Sequence, residues 1–246
     1  ANTTGSYNFA AGAEALDKLT TGQQNVAIGQ ASLTEVVTSN YNTAVGSNTL
    51  VNNVAHDNTA FGARALYTNS TGNSNVGVGA SALKANTTGG YNVAVGYEAL
   101  DANTTASHNA AVGQSALGAN TTGENNTALG SSALRNNTTA SNNTAVGKNA
   151  LVANTTGTMN VAVGAYAFDA NQGGSANTCI GYNAGTAFTS DGLTAIGKDA
   201  LESCTTGNNT AVGANALAAV TTGAQNTAVG QDALQAQAQN IAQAGV

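Results

Sequence analysis

The residues of this chain whose types and spacing could do chemistry stand in rows. Asn-Thr-Thr recurs so that Asn86, Asn103, Asn120, Asn137 and Asn154 fill one column and Thr87, Thr104, Thr121, Thr138 and Thr155 the next. Carboxamides at a fixed interval can hydrogen-bond to one another as a stacked ladder. Threonine hydroxyls and methyls about 4.8 Å apart make a regular strip able to order water and bind ice. The same tripeptide matches the N-glycosylation sequon, also present at Asn2, although burial of the Asn column would close most of these sites. Catalytic chemistry has no comparable pattern. His56 and His108 fall at different points of the repeat, and acids such as Glu98, Asp101 and Asp169 are scattered. Metal-ligand spacing, a phosphate-binding loop and a nucleophile elbow are all missing. No catalytic, metal or cofactor-binding residue is therefore assigned, and the chain is expected not to be an enzyme. Cys179 and Cys204 lie in different columns, which leaves their pairing open.

The rows come from a repeat of the form Asn-x-Ala-Val-Gly-x-x-Ala-Leu-x-Ala-Asn-Thr-Thr-Gly-x-x. Its anchor glycines run from Gly12 to Gly230 at intervals of 17 residues, with three of 16. Such a period marks a stacked repeat, in which each unit contacts only its neighbours. Seventeen residues are too few for a pair of helices, whereas Thr-Ala-Val before Gly favours strand and the absence of Pro suits continuous ladders. The expected fold is an all-β parallel β-solenoid of about 14 coils, each with two or three short strands. The array is expected to occupy residues 1–237 and to reach roughly 65 Å at one strand spacing per coil. Residues 238–246 read as a degenerate end.

Composition narrows the partners. Charged residues are 7% of the chain and the net charge is −6 without a basic patch, which argues against nucleic acid. No apolar run is long enough to span a membrane.

With Asn8, Asn25 and Asn42 set at position 1, the columns predict the coil. Position 4 (Val95, Val112, Val146) and position 9 (Leu100, Leu117, Leu151) read as an apolar interior. Position 12 is Asn through the middle but Leu19, Val36, Phe188, Cys204 and Val220 toward the ends, so it reads as inward and its Asn residues as a buried ladder. Position 1 reads as a turn Asn bonded to local backbone. The glycines at positions 5 and 15 read as corners with positive φ. If position 4 points in, strand alternation turns position 3 out. Ala94, Ala111, Ala128, Ala145 and Ala162 then form a row of small residues suited to close packing against another chain. Position 13 likewise faces solvent.

The phrase Asn-Thr-Ala-Val-Gly-x-x-Ala-Leu, at Asn143–Leu151 and Asn226–Leu234, resembles the head repeats of trimeric autotransporter adhesins, and similar Asn-Thr-Thr-Gly repeats occur in bacterial surface fibres and phage tail fibres. The resemblance covers residues 2 to about 237. It implies a left-handed β-roll, a trimer or an end-to-end fibre, and an extracellular, cell-surface or virion-surface location. It also implies a structural or adhesive role toward a host surface or glycan. The Asn-Thr-Thr-Gly segment makes this coil longer than the adhesin head repeat. The alternative expectation is an ice-binding solenoid using the Thr row at position 13.

Overall fold

The computed structural model describes residues 2–236 and the backbone of the short strand at 244–245. The chain is all-β and divides into two compact units, Ala1–Asn125 and Asn126–Val246. In the first unit β1 (Phe9–Ala11), β2 (Val26–Ile28), β3 (Thr43–Val45), β4 (Thr59–Phe61), β5 (Val76–Val78), β6 (Val93–Val95) and β7 (Ala110–Val112) stack in chain order as a parallel sheet. The second unit repeats the arrangement with β8 (Thr127–Leu129), β9 (Thr144–Val146), β10 (Val161–Val163), β11 (Thr178–Ile180), β12 (Thr194–Ile196), β13 (Thr210–Val212) and β14 (Thr227–Val229). Each is a parallel β-solenoid with one strand per repeat. Like residues pair with like, as Ala94 with Ala111 and Val95 with Val112. At the C-terminal end β15 (Ala244–Gly245) pairs with β14 in the same register; the rest of the segment read as degenerate lies outside the described residues.

Each coil holds one strand of three residues, where two or three had been expected. Turns occupy the remainder, because in most coils three non-glycine residues adopt the left-handed conformation. In the coil of β6 these are Glu98, Leu100 and His108, with φ of 54°, 51° and 61°. Placing Leu100 there costs about 1–2 kcal/mol. Burying its side chain completely returns about 1.5–3 kcal/mol, so the strain is tolerated. Glycine is needed at position 5, where Gly96 has a φ of 138° and a Cβ would meet the Gly113 carbonyl. At position 15 the expected positive φ does not occur at Gly89. That glycine matters for space, since a Cβ would collide with the Ala106 carbonyl.

The parity expected for the strand is reversed. Ala94, Ala111, Ala128, Ala145 and Ala162 are buried to within 1% of full coverage and line the interior, so they are not an outward row for another chain. Position 4 points out instead, with Val112 at 37% and Leu129 at 48% exposure. The interior is narrow. Leucines from position 9 and asparagines from positions 1 and 12 already fill it, and only small residues, Ala, Gly77 or Cys179, fit on the strand wall.

Two asparagine ladders complete the core. At position 12, each Nδ2 donates to Oδ1 of the Asn one coil earlier: Asn86 to Asn69 at 2.7 Å, Asn103 to Asn86 at 2.8 Å, Asn120 to Asn103 at 3.1 Å and Asn154 to Asn137 at 2.9 Å. The second Nδ2 proton closes the local turn, as from Asn103 to the Ala106 carbonyl at 3.0 Å. Position 1 forms a second ladder, in place of the local turn contact expected. Asn92 Oδ1 accepts the Asn109 backbone N–H at 3.0 Å, and Asn92 Nδ2 donates to the Ala106 carbonyl at 2.9 Å. Apart from Asn226 Oδ1, the described ladder amides thus replace water with protein partners, as burial of a polar group requires.

Candidate functional site

With the interior consumed by packing and hydrogen bonding, the chemistry available to a partner lies outside. The most regular outward surface is the strand face itself. Positions 2 and 4 flank each buried position 3, and alternation sends both side chains away from the core. In the second unit this face is Thr-x-aliphatic in six of seven strands: Thr127 with Leu129, Thr144 with Val146, Thr178 with Ile180, Thr194 with Ile196, Thr210 with Val212 and Thr227 with Val229. Val161 with Val163 is the exception. In the first unit the face is more apolar, with Val26 and Ile28, Thr59 and Phe61, and Val93 and Val95.

Geometry makes each face a lattice of two ranks. Neighbours along a rank are one strand spacing apart, about 4.8 Å, and the two ranks are separated by two residues of extended chain, about 6.6 Å. β-branched side chains hold one rotamer and give the surface little freedom. Ile28, Phe61, Val78, Leu129, Ile180 and Val229 are each between 36% and 48% exposed.

The sequence-predicted rows have other surroundings. Asn86, Asn103, Asn120, Asn137 and Asn154 are fully buried, which closes those five sequons to a glycan. The position-13 threonines Thr87, Thr104, Thr121, Thr138 and Thr155 are half-buried rather than open to solvent. Their hydroxyls are used inside the stack. Thr87 Oγ1 donates to the Thr104 carbonyl at 2.9 Å, Thr104 to Thr121 at 3.1 Å, Thr138 to Thr155 at 3.3 Å and Thr155 to Gln172 at 2.9 Å. These hydroxyls have spent their donor on the protein, so they cannot organise water as a free rank would. The signal for the true outward ranks was in the sequence: position 2 alternates between Thr and Val, the tolerance of a surface, while position 3 is held to Ala, Gly or Cys.

Among the described residues no three His, Cys, Asp or Glu side chains gather as a metal site would require. Cys179 and Cys204 are free thiols, both buried, and burial pushes each thiol upward. Asp101 and Asp169 are shifted upward from the ordinary carboxylate value, chiefly by desolvation. His108 stacks on Tyr91, with ring centroids 5.1 Å apart and planes within 1° of parallel. No helix among the described residues is long and apolar enough to cross a membrane.

Compared with known proteins, the chain matches no family model and no curated protein.

Proposed function

We propose that the chain is a non-enzymatic structural and adhesive fibre protein of a cell or virion surface, which works by rigid, multivalent display and associates laterally with copies of itself. The observation that carries this reading is the two-rank face of Thr and aliphatic side chains outside an interior made wholly of neighbour-to-neighbour contacts. Seven coils at about 4.8 Å and a width near 10 Å give each unit a flat, largely apolar strip on the order of 300 Å². That is the size at which exposed patches usually mark an interaction surface. A second chain carrying the same ranks in the same register is a natural complement. The resemblance of the repeat to trimeric adhesin heads agrees with a three-chain assembly. Repeated identical contacts raise avidity without a single strong site.

Sedimentation equilibrium tests the reading. A mass three times the 24.0 kDa chain is expected, falling to the monomer when Val146, Ile180 and Val212 are each replaced by Lys. A wild-type chain that stays monomeric at tens of micromolar removes lateral association.

The second reading is ice binding, which the second-unit face favours more than the position-13 row. Its Thr rank from Thr127 to Thr227 and its aliphatic rank from Leu129 to Val229 place hydroxyls and methyls on one flat side. Thermal hysteresis that Thr178→Lys and Thr210→Lys abolish would support it; absence of hysteresis at millimolar chain eliminates it.

A further inference from the structure

From the side-chain chemistry of the first unit we infer a binding site for a single acidic sugar residue, a carboxylated pyranose, in the cleft lined by Asn48, Arg64, Tyr67 and Lys84. The inference stands independently of lateral association and of ice binding.

The chain carries six Lys and Arg against twelve Asp and Glu. Three of the six cations have a partner of their own. Lys18 pairs with Glu35 at 2.7 Å, Lys198 with Asp199 at 2.8 Å, and Lys148 lies over the Tyr166 ring at 5.7 Å. Arg64 and Lys84 have no ion pair within 4 Å among the described residues, yet both face one cleft of about 220 Å³. Two cations lining one cleft repel each other, and an anion between them relieves that repulsion. Asp101 and Lys84 act on each other electrostatically, which partly counters the Lys84 charge.

Three successive coils build the site. Asn48 and Arg64 occupy position 7 of neighbouring coils, and Tyr67 and Lys84 occupy position 10 of the next pair. Position 7 takes the left-handed conformation, with φ of 56° at Asn48 and 60° at Arg64. Backbone bonds fix these bases: Arg64 N–H donates to the Ser47 carbonyl at 3.0 Å, and Leu66 N–H to the Ala82 carbonyl at 2.9 Å. The cleft thus rests on the rigid stack.

Its chemistry selects among anions. A guanidinium presents a planar fork that matches a carboxylate, and an ammonium beside it adds a second charge-assisted donor. Tyr67 offers a ring face and a hydroxyl, and Asn48 offers an amide that can both donate and accept. A bare inorganic anion would leave the ring face of Tyr67 unused. A pyranose carboxylate uses all four groups, with its ring against Tyr67 and a hydroxyl on Asn48. The volume is below that of drug-sized pockets and suits one sugar ring rather than an extended chain.

Titration of the full chain with glucuronate, glucose and sulfate, followed by ligand-observed NMR and calorimetry, tests the site. Glucuronate is expected to bind at least tenfold more tightly than glucose and to weaken as salt rises. Arg64→Gln and Lys84→Gln should each reduce its affinity about tenfold, and Tyr67→Ala should do the same while leaving sulfate binding unchanged. All three positions are at the surface, and an unchanged circular dichroism spectrum confirms that each variant is folded. Equal affinity for glucuronate and glucose overturns the inference. Sulfate binding as tightly as glucuronate, with Tyr67→Ala without effect on either, reduces the cleft to a simple anion site and also overturns it.

Discussion

Replacing Asn86 by Leu isolates what the amide ladder contributes. Leucine fits the row by shape, because Leu19 occupies the same position and is 2% exposed. The substitution removes the bond from Asn86 Nδ2 to Asn69 Oδ1 at 2.7 Å and deprives one Asn103 Nδ2 proton of its acceptor at 2.8 Å. The Gly89 carbonyl keeps a partner, since Asn75 Nδ2 donates to it at 2.9 Å. Two buried polar groups are therefore orphaned, each costing about 1–3 kcal/mol, for a total of about 2–6 kcal/mol. The double variant Asn69→Leu, Asn86→Leu removes one more ladder bond, yet it orphans fewer groups. Asn53 Oδ1 becomes the new end and retains the Asn58 Nδ2 donor at 3.3 Å, which leaves only the Asn103 proton unmatched. The double variant should thus cost no more than the single one. Guanidinium unfolding of the full chain gives the totals. Amide exchange gives the local effect, since a coil feels mainly its two neighbours. A single-variant cost under about 1 kcal/mol, or a double-variant cost equal to the sum of two singles, refutes the orphaned-group account.

Other outcomes follow from the same geometry. Gly77→Ala should stabilise the first unit by about 0.5–1 kcal/mol, because Gly77 is in a strand column otherwise held by Ala or Cys and a Cβ there meets Leu66 at an acceptable 3.4 Å. Gly96→Ala should destabilise it by several times that amount, since both its φ of 138° and the Gly113 carbonyl exclude a Cβ; thermal melts compare the two. Asp101 and Asp169, raised by desolvation, bind their protons more tightly when folded. Their contribution to stability is present below the ordinary carboxylate range and is lost as pH rises through the raised values. The variant Asp101→Asn, Asp169→Asn should therefore gain stability relative to the wild type between pH 3 and pH 6. A relative loss over that interval reverses the sign of the argument.

The coil, its period and two of its interior columns were legible in the sequence because substitutions reported the environment. Position 12 exchanged Asn for Leu19, Val36 and Phe188, which only an inward site permits. Position 9 was legible because Leu recurs where a turn would otherwise be polar. Strand parity was not legible from size and hydropathy alone. Val and Ala are both apolar, and the larger residue was assigned to the core although the narrow interior admits only the smaller. Position 1 offered almost no contrast, being Asn in every coil but that of Leu193, so a buried ladder and a turn Asn looked alike. Left-handed leucines were invisible because the conformation is normally read from glycine, and here burial outweighs its cost.

The departures from the repeat cluster, and their arrangement explains why the outer face can stay constant. In the coil of β11, Gly185 replaces the usual Leu, Phe188 the usual Asn at position 12 and Cys179 the usual Ala; Leu193 replaces the next Asn at position 1. A Cβ at Gly185 would be 2.8 Å from both Cys179 Sγ and Leu193 Cδ2, so the volume lost at one column is taken up at the others. Phe188 and Phe168 pack with ring centroids 6.2 Å apart. Here the position-12 ladder ends and the position-1 ladder is interrupted, to resume where Asn226 donates to Asn209 Oδ1, and neither break leaves an orphaned oxygen. Asn171 Oδ1 accepts the Gly174 N–H at 2.8 Å, and Asn177 Oδ1 accepts the Leu193 N–H at 2.7 Å. Apolar plug and amide ladder are thus interchangeable fillings of one tube, provided their junctions are satisfied. Outside, Thr178 with Ile180 and Thr194 with Ile196 continue the two ranks unchanged through the plug. The wall between them is a single strand whose inward residue absorbs every change, from Ala162 to Cys179 to Ala195, so sequence can drift inside without moving an outward side chain. Such decoupling would serve the lateral contact proposed above, where one displaced rank would interrupt the repeat of the face.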